Sequence, residues 1–108
     1  MKMGDKIKFD GERQRYTVQA ATDQFIIATK PFNARSTYLY TVVDRQRKVR
    51  GRVGFVFGLP CDVDSQSGAD KCLRTMAKHD VGVSHRNYKE LTPGEIGALC
   101  NVHAEEVA

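Results

Sequence analysis

No stretch of this 108-residue chain approaches the roughly 20 consecutive apolar residues that a membrane-spanning helix requires. The opening segment, MKMGDKIKFDGE, lacks the apolar core of a signal peptide. The expectation is a cytoplasmic protein with no membrane partner. Cysteine is scarce too. Cys61, Cys72 and Cys100 are odd in number and loosely spaced, unlike the even, dense set of a secreted disulfide framework. Cys100 and His103 form one close ligand pair, whereas a structural zinc site shows two. Cys72 and Cys100 read as small core residues, and neither a metal nor another cofactor is expected.

Catalytic signatures are missing as well. There is no G-x-S-x-G elbow, P-loop, H-E-x-x-H helix or dinucleotide fingerprint. Ser84 and His85 are adjacent, but neighbours along a strand point to opposite faces. Cys61 follows Gly58-Leu59-Pro60 in a predicted loop, and only folding could bring a histidine to it. The expectation is a protein that is not an enzyme.

What is present is an ordinary globular composition, 41% hydrophobic and 28% charged. It suits one domain, residues 1–108, large enough to bury a core. Charge is unevenly spread. Residues 1–60 hold 12 Lys and Arg against 5 Asp and Glu, a balance of +7. Residues 61–108 hold 5 against 8, a balance of −3. A positive first half steers acidic partners.

Residues 4–60 read as mainly β. Ile7 and Phe9 alternate with charged neighbours, and DGE marks a turn. RYTVQA sets Tyr16, Val18 and Ala20 on one face. FIIATK is a third strand, ended by Pro31. TYLYTVVD is apolar on both faces, and RVGFVFG is a fifth strand with glycines suited to a bulge. The period then lengthens. Ala69, Cys72, Leu73, Met76 and Ala77 recur at helical spacing within residues 65–80, with Ser65 or Ser67 as N-cap. Residues 81–90, with VGVSH, form a further strand. Thr92-Pro93-Gly94-Glu95 has the form of a capping box opening a C-terminal helix over residues 92–104. That helix resembles the first helix of a helix-turn-helix, but only about one turn of chain remains for a recognition helix. The fold class is α+β: a bent antiparallel sheet of five to six strands, packed by one helix and followed by a short C-terminal helix. Short strands and tight turns favour either a small antiparallel barrel, of Src-homology-3 type, or a strongly bent meander.

The basic run DRQRKVRGR lies between two strands. Its Arg45, Arg47, Lys48, Arg50 and Arg52 are the candidate contact residues, and Arg13, Arg15, Lys30 and Arg35 extend the patch if their loops gather nearby. Clustered cations neutralise phosphates or meet carboxylates. The plainer reading is a solvated turn that keeps a sheet edge from pairing. Tyr16, Tyr38, Tyr40, Phe32 and Phe55 are candidates for stacking on bases, or else core.

The motifs GDKIKF, GERQRYTVQA, FIIATKPFN, YTVVD with VRG, and VSHRN occur in that order over residues 4–88. The string resembles a family of small uncharacterised proteins encoded by bacteriophages and prophages. The resemblance brings no catalytic residues. It implies an accessory protein that binds an acidic host protein or a nucleoprotein complex stoichiometrically, in host takeover or anti-defence, with anti-CRISPR-like inhibition as one form. The alternative is a DNA- or RNA-binding module using the basic strand connection.

Overall fold

Apolar residues at consecutive positions in the central strands become a sheet buried on both faces. The structure, a computed structural model, describes residues 1–31, 38–51, 63, 65–79 and 88–100. Six strands follow one another: β1 (Lys6–Ile7), β2 (Tyr16–Ala21), β3 (Phe25–Pro31), β4 (Tyr38–Asp44), β5 (Val49–Gly51) and β6 (Tyr88–Glu90). Helix α1 (Gln66–His79) falls between β5 and β6 in the chain, and α2 (Pro93–Leu99) follows β6. Every neighbouring pair is antiparallel, and sheet order equals chain order. The fold is an α+β meander with an open sheet. Among the described residues no pairing joins β1 to β6, and the described sheet is the open meander rather than a closed barrel.

Side-chain alternation divides the core in two. On one face Phe25, Ile27, Val42 and Val49 pack with Ala69, Cys72, Leu73 and Met76 of α1. On the other, Tyr16, Val18, Ile26, Ala28 and Val43 pack with Ile7, Phe9 and Leu91, and with Leu99 of α2. One helix therefore covers each face. The spacing of Ala69, Cys72, Leu73 and Met76 is what makes α1 amphipathic. Ala77, expected on the same stripe, is exposed, because the buried stripe ends at Met76.

Local chemistry fixes the ends of the helices. Ser65 is the N-cap of α1, its Oγ accepting from the Gly68 N–H at 3.2 Å. In α2 the expected capping box is complete: Glu95 N donates to Thr92 Oγ1 at 3.2 Å, and Thr92 N to Glu95 Oε1 at 2.8 Å. This helix ends sooner than expected. Cys100 is its C-cap, donating to Ile96 O at 2.9 Å, and residues 101–104 lie outside the described residues.

Three strand expectations change. Tyr16, Val18 and Ala20 do not share a face, because a bulge between Val18 and Ala20 turns Ala20 toward α1. Pro31 closes β3 from within, paired with Tyr38, since the last position of a strand tolerates a missing N–H. Val49, Arg50 and Gly51, read as connection, are strand β5. The expected strands RVGFVFG (from Arg52) and VGVSH lie outside the described residues.

Candidate functional site

The basic run separates into buried and exposed parts because the β4–β5 hairpin folds within it. The β4–β5 hairpin turns through Arg45-Gln46-Arg47-Lys48, with Asp44 paired to Val49. Buried Asp44 shapes the turn: its Oδ1 accepts from the N–H groups of Gln46 and Arg47, both at 3.1 Å. The Lys48 N–H returns to Asp44 O at 2.9 Å, and Lys48 itself sits at φ 60°. A four-residue loop needs one left-handed residue to match strand twist, and here that residue is a lysine rather than a glycine. The turn leaves Arg47 and Lys48 exposed at its tip. Arg45 is buried, its N–H tied to Gln24 O at 2.7 Å.

Arg50 is turned inward beside Val43, on the face covered by α2. Its guanidinium lies 3.9 Å from the centre of the Phe9 ring. Its Nη2 donates to Glu12 Oε2 at 2.5 Å. The other carboxylate oxygen of Glu12 meets Lys30 Nζ at 3.2 Å and accepts from the Tyr16 hydroxyl at 3.4 Å. Lys30 Nζ also stands 4.9 Å from the Tyr16 ring centre, and Tyr16 meets Phe9 edge-on at 5.2 Å. One carboxylate thus bridges two cations over an aromatic pair.

This environment shifts two groups. Burial alone raises the Glu12 carboxyl, but Arg50 and Lys30 outweigh it and hold the pKa below the usual value of 4.5. Burial, aided by the Glu12 charge, pushes Tyr16 up to about 12. At neutral pH Glu12 is therefore a carboxylate and Tyr16 an un-ionised phenol.

The seven described candidate cations therefore do not form one patch. Arg47 and Lys48 mark one end of the sheet. Arg13 and Arg15 are exposed near the start of β2, beside the far end of β3. Six strand steps between Phe25 and Pro31 set these ends roughly 20 Å apart. Lys30 and Arg50 are committed to Glu12. Arg35 and Arg52 lie outside the described residues. Base stacking by Tyr16 is ruled out by its complete burial, and Tyr40 is partly buried against the α1-side core. Side chains of Tyr38, Phe32 and Phe55 are not among those described.

Sequence reading missed Glu12. It stands 38 positions from Arg50, and no local spacing connects them. It also missed Tyr88, exposed on strand β6. Cys72 is buried as expected, but it is also disulfide-bonded, which the odd cysteine count had argued against. Among the described residues, no three His, Cys, Asp or Glu side chains gather as a metal site would need. A cleft of about 290 Å³ opens between β1 and α2, lined in part by Ile7, Lys8, Asp10, Glu95 and Leu99. Its carboxylates serve the fold: Asp10 accepts from Thr92 Oγ1 at 2.5 Å, and Glu95 Oε2 accepts from Asp10 N at 2.9 Å. No described helix is long and apolar enough to cross a membrane. No family model matches the chain, and neither a curated protein nor a solved structure matches it.

Proposed function

We propose that this chain is a non-enzymatic, phage-derived accessory protein that binds an acidic host protein or nucleoprotein stoichiometrically, through the tip of the β4–β5 hairpin. The observation that carries this reading is the sorting of the basic run: Arg45 and Arg50 are buried, while Arg47 and Lys48 are exposed on a turn shaped by Asp44. A turn that exposes two cations suits a small acidic patch, where charge complementarity guides encounter. Nucleic acid is the weaker reading. Strong phosphate binding uses about 6–10 neutralised phosphates, and the tip offers two cations with Arg13 and Arg15 on the far side of the sheet. Action in the host cytoplasm follows from the phage resemblance.

The test is affinity capture from host lysate, with and without nuclease, using wild type and Arg47→Ala/Lys48→Ala. The expected result is a nuclease-resistant protein partner that the double variant loses. Recovery of nucleic acid alone, removed by nuclease and by salt, would replace the protein partner with the weaker reading. An identical partner on both baits would reduce the tip to a solvated turn.

A further inference from the structure

Among the described residues, the Glu12 cluster is short of one negative charge. Arg50 and Lys30 contribute two positive charges, and Glu12 is the carboxylate that meets both. No other acidic group among the described residues pairs with either cation. Tyr16 stays un-ionised at neutral pH and contributes a hydroxyl, not a charge. Arg50 is 4% exposed, and its Nη1 is buried with no hydrogen-bond partner. A buried guanidinium donor without an acceptor is costly, and such groups commonly mark where an ion or ligand belongs. The Lys30 and Glu12 side chains, 14% and 21% exposed, give the cluster a solvent-facing side.

We propose that Arg50, Lys30 and Tyr16 form a binding site for a carboxylate monoanion, which Glu12 only half fills. A carboxylate suits the site for two reasons. Its single charge neutralises the remaining +1, where a phosphate dianion would overshoot. Its planar pair of oxygens also matches the guanidinium fork. Phe9 beneath the guanidinium and the Tyr16 ring beside Lys30 keep both cations in place, so little ordering is needed on binding. This site is separate from the hairpin tip and does not depend on the function proposed for Arg47 and Lys48.

The test is a titration of ¹⁵N-labelled wild type with sodium acetate, against sodium chloride at equal ionic strength. Resonances of the Arg50 side chain and of the Lys30 and Tyr16 amides are followed. Saturable shifts with acetate and none with chloride are expected. Glu12→Gln removes the competing carboxylate and is expected to bind acetate at least about tenfold more tightly, the change that one nearby unit charge supplies. Lys30→Met, at a partly exposed position, is expected to bind several-fold more weakly. Should Glu12→Gln fail to fold, the wild-type and Lys30→Met titrations decide. A short glutamate-containing peptide separates the sources: tighter binding than acetate assigns the site to an acidic protein segment, and weaker binding assigns it to a free small acid. Wild-type shifts that are linear and equal in acetate and chloride would overturn the proposal, as would unchanged affinity in both variants.

Discussion

Glu12 is the residue on which most of the unexpected chemistry turns. Replacing it with Gln leaves Arg50 buried beside a weaker acceptor, and the expected cost is about 2–3 kcal/mol in urea denaturation. Its pH signature follows from the direction of its shift. A carboxylate held below its ordinary pKa stabilises the fold above the unfolded value near 4.5, and this stabilisation is lost as pH falls through the lower folded value. Wild type should therefore lose stability below about pH 4.5 more steeply than Glu12→Gln, read from denaturation midpoints across pH 2–6. Tyr16 gives the opposite window. Its raised pKa stabilises the fold fully below about pH 10, and that contribution fades as pH rises through about 12. Tyr16→Phe should flatten this alkaline loss. Lys48 offers a cleaner separation of roles. At φ 60° a glycine is relieved of side-chain strain, so Lys48→Gly should melt no lower than wild type, and as much as about 1 kcal/mol more stable, while removing a tip charge.

At the scale of elements, α2 is held more by its cap than by its length. Seven residues are too few for a helix to persist alone in water. Thr92 and Glu95 satisfy its first turn, and Glu95 also accepts from Asp10 N, tying the helix to the β1–β2 turn. Thr92→Ala should cost about 1 kcal/mol, as N-cap losses do. Glu95→Ala should cost more, since it removes a buried carboxylate that accepts from two backbone donors, Thr92 N and Asp10 N. Guanidinium denaturation of both variants checks the order; a smaller loss for Glu95→Ala would mean that the tie to Asp10 contributes nothing. The cap was legible from Thr92-Pro93-Gly94-Glu95 because its chemistry is local. The tie to Asp10 was not, because it spans 85 positions.

At the scale of the whole molecule, the sheet is a middle layer and both of its faces should matter about equally. Ile26 faces α2 and Ile27 faces α1, and both are fully buried. Ile26→Ala and Ile27→Ala should each cost about 2–5 kcal/mol by chemical denaturation, the range for truncating a buried aliphatic side chain. A sheet with one solvated face would lose stability at only one of the pair. The two layers also explain where charge can go. Helices cover the faces, so cations on the central strands turn inward and need partners, while Arg47 and Lys48 at the hairpin tip remain exposed. That is why Lys30 and Arg50 turn to Glu12, while Arg13, Arg15, Arg47 and Lys48 stay exposed at the ends of the sheet.

The sequence by itself determined the elements whose signals are local. The β-branched run of Phe25–Lys30, the alternation of Tyr38–Asp44, the helical stripe from Ala69 to Met76 and the capping box at Thr92 each depend on neighbours within a few residues, and each appears where its pattern stands. Tertiary structure alone decided the fate of the basic run. Whether an arginine is a contact or a core residue depends on which face its strand turns inward and on what crosses beneath it. The hairpin register turned Arg50 onto Phe9 and toward Glu12, and it left Arg47 and Lys48 outside. Charge clustered along a chain is not charge clustered in space, because pairing and burial act between residues that only the fold brings together.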